Sequence, residues 1–338
     1  MRNLAENQVK SGLKMVDVNC NYCGSSSRSL VTAGTDLDYG ITDDVFNVCK
    51  CHDCGLVYMS PRPDISELPK LYPPHYAPYS VEDDYDASSK QTFYYKLLYT
   101  SIRLFVDFWL ERLLPNKKSI SVLDIGCADG HALNCMRHSE KKKVETFGVD
   151  ISEIGIEKAR ANGHTAYLGR FEDIDLPHAS FDLVYAGHVI EHVSDPAAFI
   201  AKINDVLKPG GVCILFTPNI GSIDAKIFQD RLWGPYCLPR HWYFFDRNSL
   251  EKLATRAGLT VSAVAYIPTG STWLYTMHSV FKGTPRLAHL AEKWFPLQGS
   301  MKINAFNIVS NFIFTAMDLA VWCLTLQTSN MGIALRKP

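Results

Sequence analysis

Two short cysteine pairs, Cys20-x-x-Cys23 and Cys51-x-x-Cys54, stand near the start of the chain. A C-x-x-C turn offers two thiolates on one side, so two such turns present the four soft donors that a tetrahedral zinc ion takes. Twenty-seven residues separate the pairs, and the β-rich sequence between them would make a ribbon. Cys49 and His52 are spare donors, either of which could replace a member of the second pair. A module this small buries too little to fold without metal, so the zinc is expected to be structural. Buried free thiols and redox chemistry are the competing readings.

A second group lies in Val122-Leu123-Asp124-Ile125-Gly126-Cys127-Ala128-Asp129-Gly130, an apolar run ending in small residues. A strand that feeds such a turn into a helix lets backbone amides approach a ligand, with the positive end of the helix beside it. A dinucleotide fingerprint starting at Gly126 would need glycine where the chain has Ala128 and His131, so nicotinamide or flavin binding is a poor match. Asp150 follows 24 residues after Gly126, closing Phe147-Gly148-Val149-Asp150. An acid there, on the C-terminal edge of a strand, is placed to accept hydrogen bonds from both hydroxyls of a ribose. Capping the helix that begins near Ser152 is the other use of the same carboxylate.

His188-x-x-Glu191-His192 has the H-x-x-E-H spacing of an inverted zinc peptidase. Context argues against that chemistry. A strand ends at about 186 and Asp195-Pro196 caps and starts the next helix, leaving too few residues for the long helix such a site needs. Farther on, Tyr236-Cys237-Leu238-Pro239-Arg240-His241-Trp242-Tyr243-Phe244-Phe245 carries His241, whose reference pKa of about 6.5 suits a general base. Packing in an aromatic cluster is the competing role, and His192 is the alternative or second base. Arg240 is expected to pair with a phosphate or carboxylate on a substrate, or to lie on a surface loop.

The elements that must position these residues follow from periodicity. After a polar tail at 1–18 and the cysteine module at 19–62, the prolines of Tyr72-Pro73-Pro74-His75-Tyr76-Ala77-Pro78-Tyr79 forbid regular helix, and this aromatic linker is expected to fold over the site as part of a lid. Apolar residues recurring every three to five positions predict an amphipathic helix from about Ser89 to Leu114, ended by Pro115. Beyond it, Ser119 to Asp124, Val144 to Asp150, Phe181 to Ala186 and Gly211 to Thr217 read as strands. Helices are expected between them at about 130–138, 152–162 and 196–207. Such alternation predicts an α/β core at 116–270 with a parallel sheet wrapped on both faces. A helix near 248–257, a strand from Leu259 to Ile267, helices over 271–330 and a last strand at 331–338 complete the order. Within 303–326 the polar residues Asn304, Asn307, Asn311, Thr315 and Asp318 recur at three or four positions, so this long apolar stretch has a polar face. It is expected to pack on the core, with a place in a membrane interface as the second reading and a span as the third.

The glycine loop, Asp150, the His-x-x-Glu-His-Val segment and Leu207-Lys208-Pro209-Gly210-Gly211, in that order, resemble the class I S-adenosylmethionine-dependent methyltransferases. The match covers about 119–217, with Ala128 standing where the family's G-x-G-x-G loop has its middle glycine. The resemblance implies a doubly wound, seven-stranded Rossmann-like sheet and S-adenosylmethionine as cofactor. It also implies cofactor contacts from Asp124, Gly126, Cys127, Ala128, Gly130, Asp150, Ile151, His188 and Glu191. The usual adenine acid after the third strand is replaced by Arg170, leaving Glu172 or Asp173 for that contact. The cysteine pairs and Cys54-Gly55-Leu56-Val57-Tyr58-Met59-Ser60-Pro61-Arg62-Pro63 resemble a subgroup carrying a zinc ribbon, whose members modify sugars, glycans and lipid-like precursors. Sugar C-methyltransferases of that type show Glu-His where this chain has Arg240-His241, which favours transfer to a hydroxyl over enolisation of a keto-sugar.

Composition bounds the rest. The 338 residues are 47% hydrophobic, enough for a folded catalytic domain plus a smaller module, and 34 basic against 35 acidic side chains give a net charge of −1. Near-neutral charge without a basic stripe counts against RNA as partner, although zinc ribbons also serve nucleic-acid binding. Small-molecule, glycan or lipid-linked acceptors are expected instead, with peripheral membrane contact through 303–326. An interaction protein whose cofactor domain no longer turns over is a third class. The first fifteen residues lack the apolar core of a secretory signal, so the expected address is cytoplasmic, with membrane association through the same stretch.

Overall fold

A computed structural model of the chain describes residues 12–72, 106–229, 232–297 and 305–338. The linker and lid expected at 73–79, and most of the helix expected from Ser89, lie outside the described residues. Two strands, β1 (Met15–Val16) and β5 (Arg62–Pro63), pair antiparallel around a second, four-stranded sheet. Within it β2 (Arg28–Gly34), β3 (Phe46–Cys51) and β4 (Val57–Met59) form an antiparallel ribbon. The short helix α1 (Leu68–Leu71) closes the module.

The main sheet has seven strands: β6 (Ser119–Ile125), β7 (Lys143–Asp150), β8 (Thr165–Leu168), β9 (Phe181–Gly187), β10 (Leu207–Pro218), β12 (Thr260–Tyr266) and β13 (Asn330–Arg336). Their order is β12-β13-β10-β9-β6-β7-β8, and β13 runs antiparallel to both of its neighbours while the other pairs are parallel. The expected parallel sheet is therefore mixed at its C-terminal edge, and β8, too short to leave a periodic signal, is an added strand. β6 shows why the core splits in two. Leu123 and Ile125 point to the face covered by α5 (Pro196–Val206) and α7 (Arg247–Arg256), whereas Ile120 and Val122 meet α3 (His131–Arg137), α4 (Glu153–Ala161) and α2, described over 106–113. Strand alternation alone supplies both faces.

The cysteine ribbon is fused to this core. β11 (Tyr243–Phe244), from the loop that carries His241, becomes the fourth strand of the ribbon by pairing with β4. Between β10 and β11 comes the short helix α6 (Ile223–Ile227), and between β12 and β13 are inserted α8 (Gly270–Lys282), α9 (Ala288–Trp294) and α10 (Ala305–Thr325). α10 packs on α8 with its polar side inward. Asp318, fully buried, accepts hydrogen bonds from Trp273 Nε1 at 3.0 Å and Thr269 N at 2.9 Å. No helix among the described residues is long and apolar enough to cross a membrane.

Candidate functional site

The glycine loop joins β6 to α3 through three residues with positive φ: Gly126 at +77°, Ala128 at +46° and Gly130 at +86°. A Cβ on Gly126 would sit 2.6 Å from Val189 Cγ2, and one on Gly130 would sit 2.7 Å from His164 Cδ2, so neither position admits a side chain. Ala128 holds a conformation that costs an L-residue about 1 kcal/mol or more, and its amide donates to Asp150 Oδ2 at 2.8 Å. Oδ1 of the same carboxylate accepts from Ser152 N at 2.7 Å. Ser152, not Asp150, is the N-cap of α4. Asp150 is thus free of the capping role and lines the cleft. Burial raises its pKa, and the amides of Ser152, Ala128 and Ile151 oppose the rise.

After β8 the chain passes through Gly169 and Arg170 to Glu172. Arg170 stands between two acids, 3.5 Å from Glu172 Oε1 and 3.4 Å from Asp173 Oδ2. Glu172 lines the cleft, and its Oε1 is buried without a hydrogen bond. Asp173 faces solvent.

β9 ends at Gly187, and His188 turns the chain with φ of +56°. Residues 190–192 form a turn, so His188 and His192 do not lie one above the other on a helix, and the peptidase geometry does not form. His188 Nδ1 instead donates to Glu191 Oε1 at 3.2 Å, while Oε2 accepts from Thr217 Oγ1 at 3.1 Å. Glu191 is fully buried. Burial alone would raise its pKa, but the His188 hydrogen bond and the surrounding imidazoles hold it down at about 2. Its backbone carbonyl accepts from Trp242 N at 2.7 Å and so ties this turn to the His241 loop.

His241 sits in that loop with Nδ1 donating to the Pro235 carbonyl at 2.8 Å. A carbonyl only accepts, so the proton is on Nδ1 and Nε2 carries the lone pair. Burial first, then His192, depresses its pKa to about 3, which keeps the ring neutral at physiological pH. His192 packs edge-on at 4.5 Å between ring centroids, and its Nδ1 lies 3.1 Å from the Arg240 carbonyl and 3.0 Å from Tyr72 Oη. Burial lowers the His192 pKa as well.

These segments enclose a cleft of about 470 Å³. Of the residues singled out from the sequence, Gly126, Ala128, Asp150, Ile151, Glu172, His188, His192 and His241 line it. Asp124, Cys127, Gly130, Asp173 and Glu191 do not. Asp124 is buried under the loop, where burial and the Asp150 charge raise its pKa, and Cys127 packs its sulfur against Gly148. Ser271, Thr272 and Tyr275, which no motif or spacing marks, come from α8 in the C-terminal insertion and join the same wall. Arg240 corrects the expectation of a substrate-facing or surface cation. It is fully buried and bonds Asp36 at 2.8 Å, with Asp38 3.7 Å away and the Tyr39 ring beneath its guanidinium.

The four cysteines of the ribbon converge. Cys20 Sγ is 3.3 Å from Cys54 Sγ, Cys23 Sγ is 3.5 Å from Cys51 Sγ, and all four sulfurs lie within 4.8 Å of one another. Zn–S bonds of about 2.3 Å place the corners of a tetrahedron somewhat under 4 Å apart, so both the donor set and its spacing fit zinc. Gly24 and Gly55, with φ of +75° and +84°, turn the chain after each pair. Burial would raise the Cys51 thiol, but the amides of Cys54 and Asp53 bring it down to about 7. Cys49 and His52 stand outside the cluster, bonded to the Ser60 carbonyl and the Ser27 hydroxyl.

A family model described as a methyltransferase domain matches residues 100–264. A protein of Mycolicibacterium smegmatis named as a probable S-adenosylmethionine-dependent methyltransferase is 32% identical over 153 residues, covering 45% of this chain and 56% of its own length. A ubiquinone biosynthesis O-methyltransferase of Dinoroseobacter shibae is 30% identical over 183 residues, covering 48% of this chain and 70% of its own. The chain spans little more than half of the first relative and about two thirds of the second. An S-adenosylmethionine-dependent methyltransferase from Archaeoglobus fulgidus of known structure aligns with 72% of this chain and 100% of its own, at 20% identity and a TM-score of 0.43.

Proposed function

The chain belongs to the class I S-adenosylmethionine-dependent methyltransferases, and from that premise we propose that it methylates a hydroxyl of a sugar, glycan or lipid-like small molecule held in the cleft between the glycine loop and His241. The observation that carries this reading is a neutral imidazole, His241, with its Nδ1–H anchored and its lone pair on Nε2, in the wall of the same cleft as Gly126 and Asp150. The name of the Dinoroseobacter relative supports oxygen as the acceptor atom.

The cradle fits the cofactor the family uses. Gly126 and Ala128 bring backbone to the cleft wall, Asp150 keeps lone pairs for two ribose hydroxyls, and Glu172, whose Oε1 makes no hydrogen bond and meets Arg170 only at an ion-pair distance of 3.5 Å, is the acceptor for an adenine amino group. That observation favours Glu172 over Asp173. When bound, S-adenosylmethionine supplies an already activated methyl group. The protein therefore has to orient the acceptor, exclude water and take one proton. His241 takes that proton on Nε2, and the Glu191 carboxylate nearby stabilises the cation that forms. His192 holds the His241 ring in place and is the second base. In the ribbon, Cys20, Cys23, Cys51 and Cys54 hold a structural zinc.

The test is His241→Ala. Transfer from labelled cofactor to a hydroxyl acceptor should fall by about 10²-fold or more, with cofactor affinity near wild type by calorimetry. Full turnover in that variant would remove His241 from the chemistry.

A further inference from the structure

Among the described side chains of α10, Asn311, Thr315 and Asp318 face the protein, and the apolar residues on the other side point outward. Gly270 at the start of α8 approaches so closely that a Cβ there would lie 2.6 Å from the Asn311 carbonyl and 3.1 Å from Thr315 Oγ1, and Asp318 is sealed against Trp273. On the opposite side Val309, Phe312, Ile313, Met317, Leu319 and Leu324 are exposed, Phe312 to 75% and Leu324 to 86%. Asp318 is the sole charged residue from Ala305 to Thr325, and it is buried. A helix with its polar residues inside and its large apolar residues outside is built for surroundings other than water.

We propose that α10 lies in the interface of an anionic lipid bilayer, seating the C-terminal helices on the membrane surface. Charge selects this occupant. Between Gly270 and Leu297 the chain carries Lys282, Arg286 and Lys293 against the single acid Glu292, in a protein whose overall charge is −1. The end of α9 reaches α10, with the Phe295 and Phe314 rings 6.3 Å apart, which brings Lys293, two residues before Phe295, close to α10, while Lys282 pairs with Glu292 at 3.2 Å and so leaves Arg286 and Lys293 as the excess positive charge. Trp294 and Trp322 are both partly exposed, and Lys293 lies over the Trp294 ring, the aromatic and basic border that headgroups favour. A second copy would bring the same positive border across a two-fold axis, whereas anionic headgroups neutralise it. The helix lies on the membrane and does not cross it, in keeping with its hydropathy. α8 links this face to the cleft, since it bonds Asp318 through Trp273 and lines the cleft with Thr272 and Tyr275.

The inference concerns docking and does not rest on methyl transfer, so its test reads vesicle binding alone. The full chain is floated with phosphatidylcholine vesicles and with vesicles containing added phosphatidylglycerol. The expected result is recovery with the anionic vesicles, reduced by raised salt and accompanied by a blue shift of tryptophan fluorescence in the wild-type chain. Phe312→Glu with Leu324→Glu should lower partitioning by about tenfold per side chain withdrawn from the lipid, with unchanged cofactor affinity reporting an intact fold. Failure of the wild-type chain to bind either vesicle overturns the proposal. So does unchanged binding by the double variant, or a dimer that the double variant dissociates in a chain that ignores lipid.

Discussion

Asp36, in the loop after β2, holds Arg240, the residue before His241, at 2.8 Å with neither side chain exposed to solvent. The pair joins the cysteine module to the loop that carries the proposed base. A buried cation deprived of its partner is costly, so Asp36→Ala should destabilise the protein by about 3 kcal/mol or more in urea unfolding. In the Arg240→Met background the same change should cost far less, because no charge is left stranded. Equal costs in both backgrounds would show that the pair does not act as a unit.

Asp150→Ala should weaken cofactor binding by about tenfold or more, the scale of a lost charge-assisted hydrogen bond. It also releases the Ala128 amide, so the loop loses part of its own support. Glu172→Gln should reduce affinity while Asp173→Asn leaves it unchanged, since Glu172 lines the cleft and Asp173 does not. Calorimetry with S-adenosylmethionine separates the three.

Metal analysis should return one zinc per chain, lost in the double variant Cys51→Ser with Cys54→Ser. Because β11 pairs with β4, stripping the metal should lower transfer more than it lowers cofactor affinity, the base loop being affected and the Gly126 loop not. Full zinc retention in the double variant would refute the four-cysteine assignment.

The histidines set an acid limit. His241 binds its proton at about 6.5 when unfolded and only at about 3 when folded. The unfolded chain therefore takes up protons first, and stability should decline as pH falls from about 6.5 toward 3. His192, lowered in the same direction, adds to the slope. Glu191 continues it, since its pKa drops from 4.5 to about 2 on folding. His241→Asn should flatten the upper part of this decline in unfolding curves taken at successive pH values. For the reaction, neutral His241 predicts a rate that does not titrate with the free side chain. In His241→Ala the residual rate should climb at high pH, as ionisation of the acceptor replaces the missing base.

What could be read in advance was local. Gly126, Gly130 and Asp150 announce themselves because a tight turn and a strand end are set by neighbours in sequence, and the two C-x-x-C turns for the same reason. His192 meets His241 through contacts that have no spacing rule, a hydrogen bond from Trp242 N to the Glu191 carbonyl and a two-residue strand, β11. Nothing local marks Arg240 as buried, because its partner Asp36 is 204 residues upstream. Periodicity showed that the helix at 305–325 has two faces. Which face turns inward was decided by Asp318 finding Trp273 and Thr269 in another helix, a matter of tertiary pairing that the stripe itself does not encode.

The pairing of β4 with β11 also bears on the order in which the protein is made. β2, β3 and β4 leave the ribosome while nearly the whole catalytic sheet is still unsynthesised, and the edge of β4 that will receive Tyr243 and Phe244 stays open through that interval. Cofactor-loop strands can assemble meanwhile, but His241 reaches its place only when its own loop closes that early edge. The ribbon thus behaves as a template waiting for a late strand. A grafted or circularly permuted catalytic core lacking residues 12–72 would have a complete glycine loop and an unanchored base.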